Sequence, residues 1–66
     1  MKPSYTKFEE LIGREDVSTY KVSQETEIPQ STFSDWKSGK SRPKIEKLQK
    51  LANYFHVPID YFLEED

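Results

Sequence analysis

The absence of cysteine from a chain of only 66 residues is the feature that most restricts what this sequence can fold into. A chain of this length buries only about 60% of the surface that its unfolded form exposes, so its core is small and its stability modest. Without cysteine, the chain has no disulfides, no thiolate metal site and no thiol nucleophile. We therefore predict one domain over residues 1–66, with little room for a catalytic cavity.

The chain also lacks sequence features of a membrane or secreted protein. No apolar run approaches the roughly 20 residues that a membrane-spanning helix needs, and the N-terminus lacks the apolar region of a signal peptide. The absence of cysteine suits a reducing compartment. We expect a soluble, cytoplasmic protein with no membrane partner.

Charge is distributed unevenly along the chain. The formal net charge is −2, and acids collect near both ends. Because screening limits the reach of each charge to about 8 Å at physiological salt, a local basic patch can still meet phosphates. The alternative is a solvated, lysine-rich helix face. Between Trp36 and Lys50, six cations are opposed only by Glu46: Lys37, Lys40, Arg42, Lys44, Lys47 and Lys50.

Apolar residues at helical spacing predict an all-α fold of five short helices, with no strand. Ser18 is a suitable N-cap for the second helix, and Gly39 is the expected C-terminal stop of the third. Pro58 precedes a short fifth helix that carries Ile59, Phe62 and Leu63. The first four helices are predicted over residues 4–14, 18–26, 29–38 and 44–55. In the fourth helix, the predicted inward stripe is Ile45, Leu48, Ala52 and Phe55.

The connection between the second and third helices is only three or four residues long, with Ile28 and Pro29 at its end. Two short helices joined so tightly cross steeply, as in a helix-turn-helix unit. We expect Ile28, together with Phe33 and Trp36, to fill the crossing.

The third helix has two chemically different sides. At about 100° per residue, one side carries Pro29, Phe33, Trp36 and Lys40. The other side has short, polar residues, namely Gln30, Ser31, Ser34, Asp35 and Ser38. Such a side is often simply solvated. Beside a basic loop, however, it also suits a helix in a major groove, where amides and hydroxyls contact base edges and cations contact the backbone.

The order and spacing of these pieces resemble the Cro and phage-repressor (Xre) family of helix-turn-helix regulators. The resemblance rests on STYKVSQ from Ser18, IPQSTFSDWKSGK from Ile28, LQKLA from Leu48 and VPIDYFL from Val57. It implies a compact five-helix, lambda-repressor-like DNA-binding domain. Helices 2 and 3 would form the helix-turn-helix over about residues 18–38, and helix 3 would enter the major groove.

The resemblance also implies roles for individual residues. Gln30 would make a bidentate contact to adenine N6 and N7. Asp35 would repel phosphate, so we expect it to accept a hydrogen bond from cytosine N4 or to point aside. The expected base-contacting residues are Gln30, Ser31, Ser34 and Asp35. The expected phosphate-contacting residues are Ser18, Thr19, Tyr20, Ser38, Lys40, Ser41 and Arg42.

Glu27 and His56 depart from the family pattern, because glycine is frequent at both positions. We expect Glu27 to adopt another geometry or to accept a positive φ at some cost. We interpret His56 as a helix C-cap, since a lone histidine without clustered carboxylates makes a poor metal site. Trp36 has two interpretations, stacking on a base or packing in the core, and its place beside Phe33 favours the core.

These features predict a sequence-specific, double-stranded DNA-binding regulator, encoded by a bacterium or phage. We expect it to be a repressor that binds its operator as a homodimer. An alternative is an antitoxin or protein-interaction module on the same fold, which the acidic balance and Asp35 support. The chain does not have Ser, His and Asp at the spacing that nucleophilic catalysis needs. We therefore expect no enzyme activity, cofactor, metal or small-molecule substrate.

Overall fold

The computed structural model describes residues 2–64, which form four α-helices, a single turn of 3-10 helix and two short strands. Met1, Glu65 and Asp66, among them two of the C-terminal acids noted above, lie outside the described residues. The helices are α1 (Tyr5–Glu15), α2 (Thr19–Thr26), α3 (Gln30–Ser38) and α4 (Ile45–Phe55), followed by the 3-10 helix Ile59–Phe62. The strands β1 (Lys2–Pro3) and β2 (Leu63–Glu64) pair antiparallel, with Pro3 opposite Leu63.

The helical fold is confirmed, but the end of the chain differs from the prediction. The expected fifth α-helix is a 3-10 helix of four residues, Ile59–Phe62. The chain turns extended at Leu63 because this residue pairs with Pro3, near the other end of the chain. The prediction of no strand was therefore wrong at these positions, where each strand is too short to show an alternating pattern.

Local capping residues set the ends of the helices. The Ser4 hydroxyl accepts a hydrogen bond from the Lys7 amide at 3.3 Å and begins α1, and Ser18 does the same for α2 through the Lys21 amide at 3.1 Å. Gly39 ends α3 in the left-handed region, with φ 83°. The caps predicted at Ser18 and Gly39 are confirmed.

Within residues 2–64, three residues other than glycine also adopt the left-handed conformation, each at the end of a helix. They are Asp16, Glu27 and His56, with φ of 57°, 63° and 59°. Each left-handed residue lowers the free energy of unfolding by roughly 1–2 kcal/mol relative to ordinary helical backbone, and the short polar side chain of Asp16 reduces this cost. Glu27 therefore accepts the positive φ considered above, and His56 is confirmed as a C-cap.

The core is centred on aromatic rings from α1, α3 and α4. The ring of Phe8 is completely buried and lies parallel to that of Phe33, with 4.9 Å between ring centroids. Trp36 stacks on the same ring at 5.4 Å and is 4% exposed, so its predicted place in the core is confirmed. Ile28 is also buried, as expected for the residue that fills the crossing of α2 and α3.

The predicted inward stripe of α4 was wrong at one end. Ile45 is 61% exposed, whereas Leu51, which was not assigned to the stripe, is completely buried. Ile45 is the first residue of the helix, so the turn that packs on the core begins one turn later. The inward positions are Leu48, Leu51, Ala52 and Phe55, which are spaced i, i+3, i+4 and i+7 as an amphipathic helix requires.

The left-handed conformation of Glu27 predicts the effect of a single substitution. Glu27→Gly is expected to raise the free energy of unfolding by about 0.5–1 kcal/mol, because glycine adopts positive φ without a steric penalty. Urea unfolding followed by the fluorescence of Trp36, the single tryptophan, measures this change. The matched control is Glu25→Gly, which removes the same charge inside α2 and should cost about 1 kcal/mol. If both variants were destabilised equally, the explanation would be incorrect.

Candidate nucleic-acid interface

The turn between α2 and α3 is closed by two hydroxyl groups. The Ser23 hydroxyl donates to the carbonyl oxygen of Ile28 at 2.6 Å, across the turn. The buried Thr26 hydroxyl donates to the Val22 carbonyl oxygen at 2.7 Å and accepts from the Ile28 amide at 3.4 Å. The Ile28 groups lie beyond the end of α2, where the left-handed Glu27 stops the helical hydrogen-bond pattern, so these side-chain bonds help to fix the direction in which α3 leaves α2.

With its inner side buried, α3 exposes the polar side predicted from the sequence. Gln30, Ser31 and Ser34 are exposed, and Asp35 is half-buried. Phe33 and Trp36, on the other side, are buried. The outer side of α3 therefore carries amide, hydroxyl and carboxylate groups, which are the groups that read base edges.

A hydrogen bond between the two helices orients Gln30. The Thr19 hydroxyl, at the N-terminus of α2, lies 3.2 Å from Gln30 Oε1 and donates to it. This bond holds the amide at the first turn of α3 and leaves its NH₂ group free to donate outward. The structure thus brings together one predicted phosphate-contacting residue and one predicted base-contacting residue.

The remaining predicted contacts at the N-terminus of α2 are also accessible. Ser18 is exposed, and its oxygen accepts from the Lys21 amide, so its hydrogen remains free to donate. Tyr20 is 57% exposed, and its oxygen accepts from Gln24 Nε2 at 2.8 Å. Both hydroxyls keep a donor for an anion near the positive end of the helix.

On the far side of α3, the basic loop is held in place by one carbonyl group. The Asp35 carbonyl oxygen accepts from the amides of Lys40 and Ser41, at 2.9 and 3.3 Å, and from the Ser38 hydroxyl at 3.1 Å. The side chains of Lys40, Ser41 and Arg42 are exposed. The loop therefore presents its cations at the C-terminal end of α3.

Asp35 lies in a cleft of about 440 Å³ on this flank of α3. Its carboxylate shares the cleft with cations, so its negative charge is opposed by positive charge within the domain. The residues that line this cleft are Thr32, Asp35, Ser41, Arg42, Pro43, Lys44, Glu46 and Lys47.

A second cleft, of about 210 Å³, lies on the opposite flank of α3. Two of its residues had no contact predicted from the sequence: Tyr5, which was not considered, and Lys37, which was named only among the six cations of the basic segment. Tyr5 is separated from α3 by more than twenty residues, and no local pattern places it there. The only indication in the sequence that Tyr5 faces the core is its spacing of three residues from Phe8, which puts both on one face of α1. The residues that line this second cleft are Tyr5, Thr19, Gln30, Phe33, Ser34 and Lys37.

Residues 2–64 show neither a metal-binding cluster nor a membrane-spanning helix. This part of the chain contains no group of histidine and acidic side chains that could hold a metal ion. It also contains no helix that is both long and apolar enough to cross a membrane.

Comparison with protein families places this geometry in a known group. Residues 14–62, about three quarters of the chain, match the family described as Helix-turn-helix. The chain belongs to the helix-turn-helix family. The Cro and Xre type resemblance of its sequence is thereby confirmed. Membership supports a DNA-binding transcriptional regulator, and this family is typically non-enzymatic.

The fold of this helix-turn-helix protein is similar to that of a solved structure, the crystal structure of a transcriptional regulator from Listeria innocua. The two share 24% sequence identity with a TM-score of 0.75, and the match covers all of this chain. The chain spans 65% of the length of that protein. A search of curated proteins found no match.

The Ser23 bond to Ile28 generates a test of the turn. Ser23→Ala is expected to lower the free energy of unfolding by about 1 kcal/mol, because the partly buried Ile28 carbonyl loses its donor. Thermal unfolding of the helix-turn-helix protein, followed by circular dichroism, measures the loss.

The matched control for this test is Ser31→Ala, at an exposed serine for which no side-chain hydrogen bond occurs within residues 2–64. It should change stability by no more than about 0.5 kcal/mol. Equal effects of the two substitutions would show that the Ser23 bond does not support the turn.

Proposed function

We propose that this helix-turn-helix protein is a sequence-specific regulator that reads the major groove of double-stranded DNA with α3, and that it acts as a repressor by occupying an operator. One observation carries the proposal. The inner side of α3 is buried by aromatic packing, while its outer side is polar, largely exposed and bordered by exposed cations. A major groove, about 12 Å wide, admits such a helix.

In this proposal, base recognition comes from the first turns of α3. Gln30, held by Thr19, contacts an adenine, and its free NH₂ group donates to N7. Ser31 and Ser34 donate or accept at neighbouring base edges. Asp35 accepts from a cytosine N4 amino group, and nearby cations reduce its repulsion of the backbone.

Phosphate contacts come from both ends of the helix pair. Ser18 and Tyr20 provide hydroxyl donors at the positive end of α2, and Thr19, whose hydroxyl hydrogen goes to Gln30, provides its backbone amide in the first turn. At the other end, the exposed loop provides charge and hydrogen-bond donors. Its contacts are Lys40, Ser41 and Arg42. Ser38, at the end of α3, joins them when its hydroxyl turns from the Asp35 carbonyl oxygen, to which it donates in the free protein, to a phosphate.

The size of the domain supports a homodimer. Residues 2–64 extend 29 Å in their longest direction, which is less than the spacing of about 34 Å between half-sites one helical turn apart. One copy of the domain, residues 1–66, therefore covers one half-site, and a single half-site gives few base contacts. Two copies on a bacterial or phage operator, in the cytoplasm, provide the affinity that regulation needs.

Selection of bound duplexes from a random pool tests the proposal directly. A shared half-site should emerge, and its repeat distance reports the dimer. Fluorescence anisotropy with the selected duplex should then show affinity falling with salt, at a slope of about −0.9 for each phosphate neutralised. An antitoxin or interaction module without operator binding predicts no enriched sequence and no dependence on the duplex. That outcome would overturn the proposal.

Gln30→Ala is expected to relax specificity at one base pair of the selected site. Loss of a bidentate contact costs about 1–3 kcal/mol of discrimination at that position, whereas binding to random duplexes should be almost unchanged. Anisotropy against the selected duplex and the three duplexes that carry the other base pairs at that position measures both effects. A uniform loss on every sequence would instead place Gln30 on the backbone.

Lys40→Gln and Arg42→Gln are expected to weaken binding to all duplexes alike and to reduce the salt slope by about 0.9 each. The matched control is Lys50→Gln, which removes one positive charge at the other end of α2, in a cleft beside Glu25 and Glu27. Lys50→Gln should leave the slope unchanged. A slope that changes equally in all three variants would mean that net charge, and not contact, controls affinity.

A further inference from the structure

The cleft of about 210 Å³ on the α1 flank of α3 contains residues to which no DNA contact has been assigned so far, although Thr19, Gln30 and Ser34 of its lining have one. It borders the polar side of α3, because Gln30 and Ser34 form part of its lining. Two further residues that line it, Tyr5 and Lys37, carry hydrogen-bond donors, a hydroxyl and an ammonium group. The cleft therefore adjoins the surface that would face DNA and contains donors that the proposed function does not use.

Core packing holds Tyr5 at this cleft. Its ring meets that of Trp36 edge to face, with 5.5 Å between centroids, and lies 5.6 Å from that of Phe8. Its hydroxyl forms no hydrogen bond within residues 2–64. Burial, reinforced by the charge of Glu9, raises the pKa of the Tyr5 phenol above its usual value of 10.0. The hydroxyl therefore stays protonated and available as a donor.

Lys37 supplies the charge. It lies three residues after Ser34 and seven after Gln30, so the three share one flank of α3. Its side chain is exposed and forms no ion pair or hydrogen bond within the described part of the chain. A cation and a neutral hydroxyl donor at one polar cleft, both without an acceptor, suit an anion.

The position of this anion follows from the geometry of α3. Thr32 and Asp35 line the basic cleft on one flank, and Phe33 and Lys37 line the second cleft on the other. Of the predicted base-contacting residues, Ser31 lies between the two flanks, Asp35 lines the first cleft, and Gln30 and Ser34 line the second. Since phosphates of both strands border a major groove, a helix seated in the groove meets one backbone on each flank.

We propose that the Tyr5 hydroxyl and the Lys37 ammonium group together bind one phosphate of the DNA backbone on the α1 flank of α3. This inference rests on the proposed function, because it requires α3 to lie in the groove. It makes α1 part of the interface and links the reading helix to the strand that the Lys40–Arg42 loop does not contact.

The test measures the affinity of Tyr5→Phe and Lys37→Gln for the selected duplex. Each is expected to bind about tenfold more weakly, the effect of one charge-assisted hydrogen bond. Only Lys37→Gln should also reduce the salt slope, by about 0.9, since the phenol is neutral. Glu9→Gln, which removes the acid that acts on the phenol, should strengthen binding.

The matched controls are Tyr54→Phe and Lys50→Gln. They remove the same groups from a different cleft, which lies between α4 and the C-terminal end of α2. Both controls should bind like the unaltered protein. Trp36 fluorescence during thermal unfolding establishes that Tyr5→Phe, which keeps the packed ring, and Lys37→Gln remain folded.

Neutral methylphosphonate groups, placed one at a time along the selected duplex, identify the phosphate. One position should weaken binding of the unaltered protein and have no effect on the Tyr5→Phe, Lys37→Gln double variant. Inorganic phosphate at the same concentration should leave the amide NMR signals of both residues unchanged. If it shifts them as the duplex does, the site takes free phosphate and the assignment to DNA is wrong.

The outcomes separate this inference from the proposed function. If the unaltered protein binds a selected duplex and both variants bind equally well, only the phosphate contact at Tyr5 and Lys37 is overturned. If the unaltered protein binds no duplex, the proposed function and this contact are overturned together.

Discussion

Phe8 of α1 lies between two rings of α3, parallel to Phe33 and stacked on Trp36. The other features of the interface depend on this contact, because α3 is only nine residues long and a helix of that length is marginal on its own in water. Burial of both aromatic residues fastens one side of α3 to the core. The opposite side then needs no apolar residue, so it can consist of short polar side chains that remain exposed.

The connection to α2 converts this anchored helix into a helix-turn-helix. Glu27 takes the left-handed conformation and ends α2 abruptly, and the hydroxyls of Ser23 and Thr26 pair the backbone groups around it. The turn thus contains a strained residue held by buried hydrogen bonds. In a chain whose total stability is small, such strain persists because the surrounding hydrogen bonds and packing hold the residue in place.

Charge placement resolves the apparent conflict between an acidic chain and a DNA-binding family. The net charge of −2 describes the whole chain, whereas screening confines each charge to its neighbourhood. The loop at Lys40 to Arg42 is exposed at one end of α3, and Lys37 lies on the opposite flank. Asp35 is the acidic residue of α3, and it lines a cleft together with Arg42 and Lys44.

Much of this arrangement could be predicted because its causes are local. Ser18 and Gly39 mark helix ends through bonds to residues three or four positions away, and the two sides of α3 follow from its period alone. Features that depend on residues distant in the sequence were determined by the tertiary structure. Because Leu63 pairs with Pro3, the predicted last α-helix is a single turn of 3-10 helix. In α4, Leu48 is the first residue buried in the core, and Ile45 is exposed. Tyr5 lines the same cleft as Lys37 because its ring packs in the aromatic core. No sequence pattern encodes the proximity of two residues that are 32 positions apart.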